Sequence, residues 1–245
     1  MTGVGIDGCK GGWVAAEVRD AKILIRTAPS LAELFTVGSQ LGSELLRREV
    51  CSKDTEALIL IDMPIGLPDA GCRACDAAGR ALLGKRSSTL FPVPVRDAVF
   101  SPDYSTACEV NLKRQGRKFS IQMWNIIPKV RELDAFVSSQ NKVAQLFREG
   151  HPELAFRRLS GEVVPLSKHS EEGMKLRMRI LSDALGRDVV HEVSTVVKEN
   201  RRILTSNDVV DALALAVMAS RFASEIRFLG DGGLDSTVRR MEIAS

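Results

Sequence analysis

The stretch GVGIDGCKGGWVAAEVRDAKILIR, residues 3–26, decides the fold. It holds three short β-like runs, Gly3 to Asp7, Trp13 to Arg19 and Lys22 to Arg26, parted by Lys10-Gly11-Gly12 and by Asp20-Ala21. Connections that short double a strand back on its neighbour, so the runs predict an antiparallel meander. Pro29-Ser30 then leads into SLAELFTVGSQLGSELL, where Leu31, Leu34, Phe35, Leu41 and Leu45 recur at near-helical spacing and Ser30 with Glu33 has capping-box spacing. After this amphipathic helix, Ala57 to Ile61 is continuously apolar, the pattern of an interior strand covered on both faces. The intervening helix returns the chain parallel to the first strand by a right-handed crossover. Asp7 and Asp62 are then expected side by side at the carboxyl ends of neighbouring strands, the edge where open α/β sheets bind ligands.

The rest of the chain surrounds this edge. Pro64, Gly66, Pro68, Gly71, Gly84, Pro92, Pro94 and Pro102 punctuate the region up to Ser120, leaving one expected helix near Cys72 to Leu83. An insertion over about 64–142 bordering the site follows from that punctuation. Helical periodicity returns from Ser120 to Phe136, and Val143 to Phe147 is expected to form a strand before His151-Pro152-Glu153. Glu171 to Leu185 reads as a charged helix, Asn207 to Phe222 as a strongly apolar one, and Arg240 to Ile243 as a tail strand. The 245 residues, 44% hydrophobic and 27% charged, suit a single domain over 1–245. No basic-then-apolar leader follows Met1 and no apolar stretch is long enough to span a bilayer, so a cytoplasmic protein without a membrane partner is expected. Five cysteines, Cys9, Cys51, Cys72, Cys75 and Cys108, form an odd set that suits a reducing compartment.

A net charge of +3 falls far short of a dedicated nucleic-acid binder. Lys113, Arg114, Arg117, Lys118, Lys129 and Arg131 nevertheless fall in one segment without an acidic residue. Such a run either neutralises phosphates or is a solvated face. Phe119 and Trp124 interleave with it, as base-stacking or as core residues.

Four aspartates carry the chemistry. Asp7 in GVGIDGC, Asp62 in LILIDMPIG, and Asp208 with Asp211 in NDVVDALALA each interrupt an apolar run. A buried carboxylate is costly unless paired or ligated. Asp208 and Asp211 are three apart, so on a helix they project from one face and repel each other. A cation between them and the strand-end acids relieves both penalties, and oxygen-only ligands favour Mg²⁺ or Mn²⁺. The competing readings are bland: Asp208 complementing the helix dipole with Asp211 in solvent, Asp7 as a turn residue, Asp62 closing a loop, Glu153 as a first-turn acid. Cys72 and Cys75 have ligand spacing, but no second pair or nearby histidine completes a zinc site. His151, His169 and His191 lack a nucleophile partner, and the glycines around Gly8 lack phosphate-loop spacing.

In order, GIDGCKGGWVAA, IDMPIGLPD, CRACDAAGR, GKRSSTLFPVPVR, SIQMWNIIPKVRELD, HPELAF, LSKH and DVVDALALA resemble domain-of-unknown-function family four-two-nine, a family of predicted RNase H-like nucleases. The resemblance implies a mixed five-stranded RNase H-like sheet, an antiparallel meander plus parallel strands, flanked by helices. It implies metal-ligand and catalytic roles for Asp7, Asp62, Asp208 and Asp211, with Glu153 an additional candidate and Lys85, Arg86, Lys129 and Lys168 as phosphate contacts. The expected activity is phosphodiester hydrolysis of nucleic acid, its type unspecified, by two Mg²⁺ or Mn²⁺ ions about 4 Å apart. Two alternatives stand beside it: ATP-linked phosphoryl transfer of the actin-like or sugar-kinase class, and a non-catalytic binding protein whose acids are satisfied by lysine and arginine.

Overall fold

The computed structural model describes residues 1–19, 22–35, 57–139 and 142–245. Strands β1 (Thr2–Cys9), β2 (Gly12–Arg19) and β3 (Lys22–Ala28) form the expected meander, with Cys9 opposite Gly12 and Arg19 opposite Lys22 at its two turns. Gly12 has φ 124° beside the Ala28 and Pro29 carbonyls, a conformation and a space that exclude a side chain. Strand β4 (Ala57–Ile61) runs parallel to β1 with Ile61 opposite Ile6, and the Asp62 N–H continues the ladder to the Ile6 carbonyl at 2.9 Å. Of the crossover helix, one turn is described, α1 (Leu31–Leu34), capped by the Ser30 hydroxyl accepting from the Glu33 N–H. The remainder of that expected helix, and Cys51, lie outside the described residues.

The sheet has seven strands in the order β3-β2-β1-β4-β5-β7-β6, not five. Strand β5 (Phe147–Glu149) begins where Val143 to Phe147 was expected to end, because Lys142–Leu146 forms a 3₁₀ turn and pairing with β4 sets in only at Phe147 opposite Ile59. The extra strands β6 (Phe228–Leu229) and β7 (Ile243–Ala244) have two residues each, too few for alternation to register in the sequence. Arg240 bridges Leu234 instead, and the tail reaches the sheet only at Ile243.

Helices cover both faces. Between β4 and β5 lie α2 (Ala74–Leu83), α3 (Arg96–Val99), α4 (Tyr104–Gln115) and α5 (Ile121–Ser138); after β5 come α6 (Pro152–Ser160), α7 (Glu171–Leu185), α8 (Val190–Glu199) and α9 (Ser206–Arg221). Among these described residues no helix is long and apolar enough to cross a membrane. The sequence reading omits α4, a largely polar helix between an Asp103 cap and Gly116 at φ 76°. It also omits α8, whose Val190, Val193, Val196 and Val197 are β-branched and read poorly as helix.

Alternation along β1 builds the site. Val4 and Ile6 face Trp13, Ile59, Ile61 and the α5 residues Met123, Ile127 and Val130. Gly3, Gly5 and Asp7 face the other way, toward α9. A Cβ on Gly5 would stand 2.0 Å from the Ala212 carbonyl oxygen, and one on Gly3 2.3 Å from that of Ala216. The helix therefore lies backbone-close on the strand, and its stretch from Val209 to Ala219 is buried throughout. Phe156, Leu181, Leu185 and Val193 from α6, α7 and α8 cover its outer side.

Candidate functional site

Asp7 ends the α9-facing row of β1, Asp62 follows β4 directly, and Asp211 projects from the second turn of α9. One carboxylate oxygen from each lies within 4.8 Å of the other two. The close approach allowed by Gly3 and Gly5 lets a helix acid reach a strand acid across the layer. Asp7 accepts the Gly8 N–H at 2.7 Å, and Asp211, buried, accepts the Lys168 ammonium at 2.5 Å. Asp62 accepts no hydrogen bond from the described residues.

Crowding dominates the electrostatics. Burial, then the charges of Asp62 and Asp211, push the Asp7 carboxyl well above its usual range. Burial raises Asp62 to about 6 against the opposing charge of Lys168, and Asp211 to about 6 in the same way. Burial acts against the Lys168 ammonium, but Asp211 and Asp62 outweigh it and hold that group protonated. One ammonium against three carboxylates leaves a surplus of two formal negative charges. Hard oxygen donors, close together and over-charged, suit a divalent cation such as Mg²⁺ or Mn²⁺.

Asp208 stands apart from this triad. It is the third residue of α9 and closes a capping box, its carboxylate accepting the Thr205 N–H at 2.8 Å while the Thr205 hydroxyl accepts its own N–H. Asp208 thus serves the helix cap, while Asp211 is the helix acid that lies with the strand-end pair. Glu153 lies in the first turn of α6, buried, with both oxygens taken by Arg177 at 2.7 and 2.8 Å and Arg86 at 3.4 Å. Arg177, fully buried, also donates to the Leu166 carbonyl, which fixes the loop carrying Lys168. Nothing in the sequence reading pointed to Arg177; an arginine on the inward face of an amphipathic helix was the available signal.

A model of the family described as protein of unknown function, DUF429, matches residues 5–231. The chain belongs to the DUF429 family. No curated protein and no solved structure matches it. The DUF429 span takes in all three carboxylates and Lys168, and ends before β7.

Above the carboxylates this DUF429 chain forms a cavity of about 500 Å³. Arg86, Lys129 and Lys168 enter it from three different segments, whereas Lys85 is exposed and outside the lining. Lys129 donates to the Gly12 carbonyl, lies 4.7 Å over the Trp13 ring, and packs its stem where a Cβ on Gly8 would come within 2.6 Å. The rest of the basic segment does not reach the cavity. Lys113, Arg114, Arg117 and Lys118 are exposed, and Arg131 donates to the Val99 and Ser101 carbonyls. Phe119 and Trp124 pack on Tyr104 with ring centroids 5.8 and 5.9 Å away, as core residues.

His151, a histidine without a nucleophile partner by sequence, lines the cavity with Nε2 3.2 Å from the Thr89 carbonyl. Burial lowers its pKa, so the ring is neutral and Nε2 carries the proton donated to that carbonyl. A second buried cluster borders the cavity. Arg73 donates to Asp76, to both oxygens of Glu149 and to the Ile65 and Gly66 carbonyls. Cys75 packs beside it with Leu83, Leu90 and Leu154 while Cys72 is exposed, so the paired cysteines face different surroundings.

Proposed function

We propose that this DUF429 protein is a divalent-metal-dependent phosphodiesterase acting on nucleic acid or nucleotides, built on an RNase H-like sheet. The observation that carries the reading is the Asp7, Asp62 and Asp211 triad, within 4.8 Å and over-charged by two, with Asp7 and Asp62 lining a cavity that Arg86, Lys129 and Lys168 also line. The strand order β3-β2-β1-β4-β5, with acids at the ends of β1 and β4 and on a crossing helix, supports the fold analogy. When bound, Mg²⁺ or Mn²⁺ supplies Lewis-acid stabilisation and an activated water, most simply as a pair of ions.

The chain's own residues do the rest. Asp7, Asp62 and Asp211 would together hold the metal, each offering a carboxylate oxygen. Lys168 holds Asp211 in place and offsets part of the charge. Arg86 and Lys129 orient non-bridging phosphate oxygens, and the buried position of the carboxylates strengthens every charge interaction there. The described residues hold one such triad, which favours hydrolysis over ATP-linked transfer between paired domains. A labelled panel of single-stranded, double-stranded and hybrid nucleic acids, with Mg²⁺ or Mn²⁺, tests the reading. Metal-dependent cleavage is expected in the wild type and lost in Asp7→Asn and Asp211→Asn; equal cleavage by all three proteins would sink it.

A further inference from the structure

We propose, resting on the hydrolase reading above, that the site admits one nucleotide with a free end, either a mononucleotide ester or the terminus of a single strand. The body of a duplex and the interior of a strand are excluded. Three observations converge on this. The first is size and shape. A cavity of about 500 Å³ falls in the ordinary range of roughly 300–1,000 Å³ for pockets that enclose a small ligand. Asp7 and Asp62 are among the residues that line it.

The second is that the lining comes from different parts of the fold, and that two of its segments are braced. One is the 3₁₀ turn Gly84–Thr89 with the segment through Val93. Arg80 holds that wall through the Ser87 and Leu90 carbonyls at 2.9 and 2.8 Å, and Asp76 accepts the Val93 N–H at 2.9 Å. The other is Ser167, Lys168 and His169, anchored by Arg177 through Leu166 and Glu153, and Arg86 of the first segment meets the same Glu153 carboxylate at 3.4 Å. Bracing by buried charge-assisted bonds makes these walls fixed parts of the pocket. A strand that continued in both directions from the bound nucleotide would have to pass these braced segments.

The third is the chemistry of the lining. Arg86, Lys129 and Lys168 line the same cavity as Asp7 and Asp62 and suit phosphate oxygens. Phe91, 41% exposed at the rim, and the Met63, Met123 and Ile126 side chains offer an aromatic and apolar surface that a carboxylate–cation site has no use for by itself. A base stacks on such a surface without regard to its identity. The ligand that satisfies both halves carries a phosphate and a flat ring, which is a nucleotide.

The experiment uses the full chain with Mn²⁺. Calorimetric titration with a nucleoside 5′-monophosphate is expected to show one nucleotide per chain, bound about tenfold more weakly by Phe91→Ala and unchanged in Asp208→Asn. In parallel, hydrolysis of a linear single strand is compared with a covalently closed single-stranded circle of the same sequence and with a nitrophenyl ester of a mononucleotide. The linear strand is expected to shorten from an end while the circle resists. Hydrolysis of the small ester but not the strand would assign the source as free nucleotides, and the reverse would assign strand ends. Cleavage of the circle at the linear rate, lost in Asp7→Asn, would overturn the inference and leave the hydrolase reading standing. Stoichiometric nucleotide binding with no hydrolysis of any substrate would do the opposite. Absence of nucleotide binding by the wild type would overturn the inference outright.

Discussion

Two acidic clusters sit on the same sheet edge and differ in what compensates them. Glu149 ends β5 opposite Ile61, one residue before Asp62, so the clusters occupy adjoining strand ends on opposite faces. In the first, Arg73 reaches Asp76 and Glu149 directly, Val93 N–H serves the second oxygen of Asp76, and Ile65 N–H serves Glu149. In the second, three carboxylates share one ammonium and one backbone N–H. Saturated acids hold a fold together; acids left in surplus are held ready for something that arrives later.

The largest way to break the comparison is Arg73→Met. It strands Asp76 and Glu149 in the interior, and a loss of about 3–5 kcal/mol in unfolding free energy is expected. Chemical denaturation checks it, and a loss under about 1 kcal/mol would show that the cluster is not saturated in the manner described.

Acidity sharpens the contrast next. With Asp62 and Asp211 raised to about 6, the folded metal-free protein retains protons that the unfolded chain has released between pH about 4 and about 6. Their contribution to stability therefore falls as pH rises through that window. Relative to an Asp62→Asn, Asp211→Asn double variant, wild type should lose on the order of 2 kcal/mol, recovered by Mn²⁺. Burial, opposed by Arg73, also raises Glu149 to about 7, a loss of the same sign that Mn²⁺ should leave untouched. Denaturation curves at several pH values, with and without Mn²⁺, separate the two.

Smaller is the effect of Asp7→Asn on the metal-free fold. Removing one of three repelling charges should raise stability by about 1 kcal/mol while abolishing Mn²⁺-dependent hydrolysis. Destabilisation would mean that Asp7 is a structural acid like Asp76. Smallest is Asp208→Ala, expected to cost about 0.5–1 kcal/mol through the lost capping contact and to leave hydrolysis within a few-fold of wild type. A collapse of hydrolysis comparable to that of Asp7→Asn would return Asp208 to the site.

The meander, the parallel fourth strand and the adjacency of Asp7 and Asp62 were legible because turn chemistry and two-residue alternation are local signals. Choosing between Asp208 and Asp211 needed more. Spacing of three puts both near one helix face, yet Thr205 three residues before Asp208 already spelled a capping box. Arg73, Asp76 and Glu149 were illegible as a cluster, since a guanidinium's partners across 76 residues of chain leave no periodic trace. The two-residue strand β6 was invisible for want of length, while the tail strand expected at Arg240 to Ile243 meets the sheet only at its last residue, in β7. The cavity wall at Phe91 lay in a proline-rich stretch whose ordered path depends on Arg80 and Asp76, not on any repeat.

The contact between β1 and α9 joins the two ends of the described chain, roughly two hundred residues apart. During synthesis, at about 5–20 residues per second, roughly ten to forty seconds separate the emergence of Asp7 from that of Asp211. Until then the bare edges of Gly3 and Gly5 have no helix to meet them, and the carboxylate triad does not exist. Timing is thus built into the topology: the centre is assembled last, after the elements that confine it are already made.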